Sequence, residues 1–191
     1  MINKIAFFDR DGTINLDAGF TYDCKDLEFL DGVQGFMKRL IFEHYKIIIV
    51  TNQSGVAKGF FTLEESYKFT RHLIKKLEDN GIIIEDFFTC PHHVNGIVKK
   101  YSRECQCRKP QPGMLLRGLE KFRADPSECL VVGNKITDLQ AGYAAGLNKG
   151  LLIGLDESPE FIKAYSKTMK ELGFQLQHFA SYPDNIVWEG I

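Results

Sequence analysis

The stretch Phe7-Phe8-Asp9-Arg10-Asp11-Gly12-Thr13 decides the fold, because it carries two carboxylates at the end of an apolar run that begins at Ile5. The run predicts a buried strand that delivers Asp9 and Asp11 to one site, since residues two apart in a strand point the same way. Open α/β sheets bind their ligands at such strand ends. Two carboxylates in one site repel each other unless a cation lies between them or one holds a proton. The stretch therefore predicts a cation-bound nucleophilic carboxylate beside a general acid.

The composition is that of one globular domain. The chain has 191 residues, 44% hydrophobic content, and 24 basic against 25 acidic residues, for a formal net charge of −1. We expect a single domain over residues 1–191 and a monomer. The near-neutral charge argues against proteins that coat nucleic acids or lie on membranes, and no run approaches the ~20 apolar residues of a membrane span. Residues 1–4 lead straight into the first strand and leave no room for a signal peptide, so we expect a cytoplasmic protein.

Apolar runs alternate with amphipathic stretches, which is typical of parallel βαβ units. Thr62 and Glu65 form a predicted capping box at the start of one helix. The expected fold class is α/β, a Rossmann-like parallel sheet with helices on both faces. The predicted strands are 5–8, 47–50, 82–88, 130–133 and 151–153, and the predicted helices are 63–77, 113–122, 136–145 and 161–172.

A second polar motif, Thr51-Asn52-Gln53-Ser54-Gly55, follows the strand 47–50 directly. A hydroxyl and backbone N–H groups at a strand end can bind a phosphoryl oxygen. The same residue types also favour helix caps and turns, so the motif alone leaves both interpretations open. Its place after a strand, like that of Asp9 and Asp11, favours phosphate binding by Thr51.

A third motif, Cys107-Arg108-Lys109-Pro110, supplies two cations. A lysine ammonium suits phosphate as a compact charge, and arginine adds a planar fork of donors. Such a pair can also be two solvated surface bases. The two prolines Pro110 and Pro112 and the helix start at Gly113 favour an anion site instead.

A fourth motif, Gly133-Asn134-Lys135-Ile136-Thr137-Asp138, also follows a strand. The amide oxygen of Asn134 can coordinate a hard cation, although it brings no charge. Alternatively, Asn134 simply caps the helix that begins near Ile136.

The segment from Cys90 to Cys107 has no apolar period and is too long for an ordinary connection, so it is expected to be functional. Its residues Cys90, His92, Cys105 and Cys107 supply the four ligands of a closed, structural Zn²⁺ site. His93 is adjacent and could replace His92, but His92 completes a Cys-x-His pair. Zinc would hold the loop, about residues 88–110, and anchor the bases that follow it.

In their order and residue identities these motifs resemble those of one family of the haloacid dehalogenase superfamily, the heptose-1,7-bisphosphate 7-phosphatases and the related histidinol-phosphate phosphatases. The resemblance spans residues 5 to about 146. It implies a cap-less fold and a phosphatase that acts through an aspartyl phosphate. One departure stands out, because the superfamily usually has an aspartate where this chain has Asn134. We expect weaker Mg²⁺ binding as a result, with Asp138 assisting through a water.

The resemblance also implies roles for individual residues. Asp9 would be the nucleophile and Asp11 the general acid and base, with Mg²⁺ held by Asp9, the backbone carbonyl of Asp11 and Asn134. The residues implied to bind the phosphoryl group or the rest of the substrate are Thr51, Asn52, Arg108, Lys109 and Lys135.

The implied substrate is a small phosphorylated metabolite, most simply the sugar bisphosphate of heptose or lipopolysaccharide core biosynthesis. Lys99, Lys100, Arg103 and Arg108 could serve a second phosphate. Histidinol phosphate or another phosphometabolite is the first alternative. A phosphate-binding protein weakened in catalysis by Asn134 is the second, and a zinc-finger nucleic-acid module fits poorly with the net charge.

Overall fold

The fold is one parallel sheet with helices on both faces, seen in a computed structural model that describes residues 3–154, 158–184 and 186. The strands are β1 (Lys4–Phe8), β2 (Tyr45–Asn52), β3 (Ile84–Cys90), β4 (Leu130–Gly133), β5 (Lys149–Ile153) and β6 (Gln175–Phe179). The helices are α1 (Val33–Phe42), α2 (Ser54–Lys58), α3 (Leu63–Glu78), α4 (Gly113–Phe122), α5 (Ile136–Ala144) and α6 (Pro159–Glu171). The strands lie in the order β3-β2-β1-β4-β5-β6, so the chain crosses from one side of β1 to the other after β3. Ligands of open α/β sheets bind at the carboxyl ends of the strands beside such a switch point.

Alternate residues of β1 bury opposite faces of the sheet. Ile5 and Phe7 pack in the apolar cluster that includes α4, α5 and α6, and Ala6 and Phe8 pack in the cluster of α1 and α3. All four side chains are fully buried. A strand covered on both faces carries a continuous apolar run, which explains why residues 5–8 are all apolar.

The predicted α/β class is confirmed, with differences at element ends. The Thr62–Glu65 capping box is present, and α3 ends at Glu78. The strand predicted at 82–88 lies at Ile84–Cys90 and so reaches the first cysteine of the predicted zinc loop. Helices α1 and α2 and strand β6 were not predicted. None of the helices among the described residues has the length and apolar character that a membrane crossing requires.

The segment after β6 packs back on the core. The Tyr182 hydroxyl donates a hydrogen bond of 2.7 Å to the carbonyl of Thr13, and its ring packs on Phe36. Burial raises the pKa of Tyr182 well above the ordinary value, and the nearby charge of Asp9 adds to this. The C-terminal segment therefore supports the turn that follows the two aspartates.

Candidate active site

A pocket of about 430 Å³ opens at the carboxyl ends of β1, β2 and β4. Most predicted site residues line it: Asp9, Asp11, Asn52, Arg108, Lys109 and Lys135. Thr51 is buried and accepts a hydrogen bond from Gln53, which lines the pocket. Asn134 packs beside the turn at Gly12, where an added Cβ would lie 2.3 Å from its Nδ2. The structure thus brings together residues separated by more than a hundred positions.

The ammonium group of Lys109 is the most tightly held charge in the pocket. It donates to Asp9 Oδ1 at 2.6 Å, to Asp138 Oδ1 at 2.7 Å and to the carbonyl of Val50 at 2.7 Å, and the residue is only 3% exposed. Burial lowers the pKa of Lys109, but the charges of Asp138 and Asp9 outweigh it and the net shift is upward. Lys109 is therefore a fixed cation beside Asp9.

Asp9 lies in an environment that disfavours its ionised form. Burial raises its pKa to about 6, Lys109 opposes the shift, and the charges of Asp138 and Asp11 add to it. In the buried part of the site three carboxylates face two cations, Lys109 and Arg10. A further cation would balance the charge.

The residues around Asp9 offer the oxygen ligands that such a cation needs. The Asp9 carboxylate, the Asp11 carbonyl and the Asn134 amide lie at the adjacent ends of β1 and β4, and Mg²⁺ prefers oxygen ligands of these kinds. The residues present therefore fit Mg²⁺.

Asp11 is held by a cluster of donors. Arg10, which is completely buried, donates from Nε to Oδ1 at 2.9 Å and from Nη2 to Oδ2 at 2.8 Å. Gln53 Nε2 donates to Oδ2 at 2.6 Å, and Asn15 Nδ2 donates to Oδ1 at 3.2 Å. Arg10 also donates to Thr70 Oγ1 and packs over the ring of Phe69. Arg10 thus ties the Asp11 carboxylate to α3.

The fourth motif supports Lys109 as well as the helix start. Lys135 is the N-cap of α5, so Asn134 is not the capping residue. Asp138 Oδ2 accepts from the Lys135 N–H at 3.0 Å while its other oxygen accepts from Lys109. The prediction that Asp138 assists a metal through a water is untested, and the structure gives it a direct role in holding Lys109.

The predicted zinc ligands form one cluster. The Sγ atoms of Cys90, Cys105 and Cys107 and Nδ1 of His92 all lie within 4.8 Å of one another. The sulfur distances are 3.0 Å for Cys90–Cys107, 3.3 Å for Cys105–Cys107 and 3.6 Å for Cys90–Cys105, and His92 Nδ1 lies 3.3 Å from Cys107 Sγ. A tetrahedral zinc with sulfur ligands at about 2.3 Å separates them by about 3.8 Å, so the four residues suit zinc if the sulfur atoms move apart by less than about 1 Å. The hydrogen bond between Cys90 and Cys107 lowers the pKa of Cys107 to about 5 and raises the pKa of Cys90, so without a metal the two thiols share one proton.

Two further predicted residues have contacts that differ from those expected. Asn52 exchanges two hydrogen bonds with the backbone of Lys109, each 3.1 Å long. Its predicted contact to substrate stays a prediction, while its observed partner is the lysine that holds Asp9. Arg108 donates to the carbonyl of His92 at 3.3 Å and lines the pocket, so it joins the zinc loop to the site.

Sequence reasoning gave no role to Arg10, Gln53 or Tyr182. The first two lie inside quoted motifs, and Gln53 is two residues after Thr51, which places it on the same side of an extended chain. Arg10 could have been predicted as a site residue, because a cation at the end of a buried strand needs an acidic partner. Nothing in the sequence connects Tyr182 to Thr13.

Comparison with known proteins gives the same family as the motifs. The family model described as polynucleotide kinase 3 phosphatase matches residues 4–149. D-glycero-β-D-manno-heptose-1,7-bisphosphate 7-phosphatases of Haemophilus influenzae and Yersinia pestis are 36% and 39% identical over 80% and 77% of this chain and 82% and 78% of their own. The crystal structure of D,D-heptose 1,7-bisphosphate phosphatase from B. bronchiseptica, complexed with magnesium and phosphate, matches with a TM-score of 0.72 and 26% identity over 92% of both chains. The chain belongs to the haloacid dehalogenase superfamily, in the family of the heptose bisphosphate phosphatases.

Proposed function

We propose that the protein is a Mg²⁺-dependent phosphatase that removes the 7-phosphate of D-glycero-D-manno-heptose 1,7-bisphosphate. The observation that carries the proposal is the Lys109 ammonium fixed against Asp9 in a pocket that also holds Asp11. The relatives named for this reaction are 36–39% identical and support the choice of substrate. If the substrate is this sugar bisphosphate, the enzyme acts in heptose metabolism, and we propose lipopolysaccharide core synthesis in particular.

In the first step Asp9 attacks the phosphorus with its second carboxylate oxygen, because Oδ1 accepts from Lys109. An O–P bond forms to Asp9 as the bond to the sugar oxygen breaks. Asp11 accepts four hydrogen bonds in this structure, so one donor has to withdraw before Asp11 is protonated. It then gives its proton to that oxygen, which leaves as the sugar hydroxyl. The three hydrogens of Lys109 all go to protein oxygens, so its proposed contribution to the transferring phosphoryl group is its charge. The hydroxyl of Thr51 is the proposed hydrogen-bond donor to a phosphoryl oxygen.

In the second step the Asp11 carboxylate takes a proton from water, and the water oxygen attacks the phosphorus. The bond to Asp9 breaks, inorganic phosphate leaves, and both aspartates return to their starting forms. Asp9, the Asp11 carbonyl and Asn134 would hold Mg²⁺, which when bound supplies charge neutralisation for the phosphoryl group.

A bisphosphate needs a second anion site, and the pocket offers two further cations for it. Arg108 and Lys135 line the pocket, as do Asp17 and Phe20. The two cations are the proposed contacts of the phosphate that is not cleaved. The loop that carries Asp17 and Phe20 is proposed to select the sugar.

A steady-state comparison of four substrates tests the proposal. Heptose 1,7-bisphosphate is expected to have the highest kcat/KM, with fructose 1,6-bisphosphate, histidinol phosphate and an oligonucleotide 3′-phosphate well below it. Omission of Mg²⁺ should remove activity on all four. A preference for histidinol phosphate, or no phosphate release from any ester with Mg²⁺ present, would overturn the proposed substrate or the proposed enzyme respectively.

We also propose that residues 1–191 fold as one domain, that the protein is a monomer, and that it acts in the cytoplasm without nucleic-acid or membrane partners. The small, polar substrate and the net charge of −1 support these proposals. Light scattering after gel filtration and cell fractionation test them. A larger mass or recovery in the membrane fraction would contradict them.

A further inference from the structure

The side chain of Gln53 joins two residues that act in different parts of the proposed reaction. Its Nε2 lies 2.6 Å from Asp11 Oδ2 and 2.7 Å from Thr51 Oγ1. An amide nitrogen carries two hydrogens, so one can go to each oxygen. The Asp11 carboxylate and the Thr51 hydroxyl thus share one donor group, in addition to the donors that Arg10 and Asn15 supply to Asp11.

Gln53 is itself fixed on both sides. It is only 3% exposed, and its backbone N–H donates to the carbonyl of Cys90 at 2.8 Å. Its carbonyl accepts from the N–H of Val56 at the start of α2, at 3.2 Å. A buried side chain on an anchored backbone holds its partners in one geometry, which is the condition for preorganised hydrogen bonds.

The hydrogen bond to Thr51 has a directional consequence. A hydroxyl that accepts from Gln53 keeps its own hydrogen for another acceptor. A phosphoryl oxygen of the substrate is the proposed acceptor for that hydrogen. The bond to Asp11 fixes that carboxylate between Gln53 and the fork of Arg10.

We infer that Gln53 is a positioning residue that sets the direction of the Thr51 hydroxyl and the place of the Asp11 carboxylate together. The inference rests on the proposed function, because it assigns Gln53 to the same two steps. Gln53 touches no reacting atom in this account. It acts through Asp11 on proton transfer and through Thr51 on phosphate binding.

Double-mutant cycles separate this role from simple support of the fold. Gln53→Met removes the two donors and keeps the length of the side chain. It is expected to lower kcat about tenfold and to raise the inhibition constant of inorganic phosphate about fivefold. The matched control is Gln140→Met on the exposed face of α5, which should behave as wild type in both measurements.

The cycle with Asp11→Asn tests whether Gln53 acts through Asp11. It is measured with p-nitrophenyl phosphate, whose leaving group needs no proton. In this background Gln53→Met should change kcat by less than about twofold, because its partner no longer works as an acid or base. The cycle with Thr51→Val tests whether Gln53 acts through Thr51, and in that background Gln53→Met should leave the phosphate inhibition constant unchanged. The inference is overturned if Gln53→Met changes kcat in Asp11→Asn and the phosphate inhibition constant in Thr51→Val by the same factors as in wild type. It is also overturned if Gln53→Met alone has the wild-type kcat and inhibition constant.

Thermal unfolding shows whether each variant folds. If Gln53→Met does not fold, the same double-mutant cycles are measured with Gln53→Glu. This variant keeps the shape of the side chain and replaces the amide donor with a second carboxylate that faces Asp11. Asp9→Asn in the same assay separates the two proposals. Loss of activity in Asp9→Asn with no effect of either Gln53 variant overturns the role of Gln53 alone, whereas an inactive wild type overturns the proposed function.

Discussion

Two regions build the candidate site in different ways, the strand ends and the zinc loop. Asp9 and Asn134 directly follow β1 and β4, and Thr51 lies next to the end of β2. The apolar residues of these strands are buried, so the core fixes the places of the three residues. Lys109 belongs to residues 91–112, which contain no helix or strand. His92, Cys105 and Cys107 of the Cys/His cluster lie in this segment, and Cys90 is the last residue of β3.

The difference indicates that the two parts depend on different forces. Burial of apolar surface sets the strand ends, and it does not vary with metal supply. The loop has few apolar residues to bury, so its backbone at Lys109 depends on the hydrogen bonds of Asn52 and, when zinc is bound, on metal ligation. Changes in the two regions should therefore act differently on stability and on activity.

The largest effect is expected at the strand ends, from Asp9→Asn. The amide is a very poor nucleophile, so kcat should fall about a thousandfold or more while the melting temperature stays near that of wild type. Steady-state kinetics with Mg²⁺ present and thermal unfolding measure both. Substantial phosphate release by a folded Asp9→Asn protein would contradict its role as nucleophile.

A smaller loss is expected in the loop, from Cys107→Ser. One zinc ligand is removed two residues before Lys109, so the loop should loosen and kcat/KM should fall about a hundredfold. Zinc content by atomic absorption should fall in parallel. Cys24→Ser, outside the cluster, is the matched control and should keep zinc and activity. An active Cys107→Ser protein without zinc would show that the loop holds Lys109 unaided.

Asn134→Asp should strengthen the metal site at the strand ends. The added charge faces the bound cation, so the dissociation constant of Mg²⁺ should fall about tenfold or more. Calorimetric titration measures it without reference to turnover. Asn80→Asp, exposed beyond the end of α3, should leave the constant unchanged. An unaltered constant in Asn134→Asp would show that residue 134 is not a ligand.

Metal binding at the strand ends should also depend on pH. The pKa of Asp9 is raised from 3.8 to about 6, so folding disfavours its ionised form. The contribution of Asp9 to the free energy of unfolding of the Mg²⁺-free protein, taken as the difference between wild type and Asp9→Asn, should therefore fall as the pH rises from about 4 to about 6 and then level. Mg²⁺ binds the ionised form, so it should raise the melting temperature by more at pH 7.5 than at pH 5. Asp9→Asn should abolish that difference, and an equal gain at both pH values would contradict the assignment.

The smallest effect is expected from Tyr182→Phe. Loss of its hydrogen bond to the Thr13 carbonyl should lower the free energy of unfolding by about 1 kcal/mol. For a chain of this size the melting temperature should drop by about 2–4 °C. Tyr22→Phe, at a residue that is 41% exposed, is the control and should leave the melting temperature unchanged. No change in Tyr182→Phe would mean that the C-terminal segment does not support the turn after β1.

Local sequence signals predicted the central fold well. Continuous apolar runs gave β1, β2 and β4, because strands buried on both faces need them. The Thr62–Glu65 capping box placed the start of α3 correctly. Strand β6 was missed because all five of its residues are only half-buried, and an edge strand needs no such run.

The structure brings together the predicted residues whose chemistry shows in a motif. Asp9 and Lys109 were both expected in one pocket, but the ion pair between them was not predicted. Contacts between distant segments left no such signal, and Tyr182 reaches Thr13 across 169 positions of sequence. Gln53 was overlooked for another reason, since an uncharged amide between two motif residues looks like part of a turn.

Gly133 has a consequence for attempts to redesign this enzyme. A Cβ at this position would lie 2.3 Å from Oδ2 of Asp138, the residue that braces the Lys109 ammonium. Combinatorial libraries that vary the floor of the pocket here should yield inactive clones whatever residue is introduced. New specificities are better sought at the rim, where Phe20 and Lys135 are exposed and can be exchanged without disturbing buried charges.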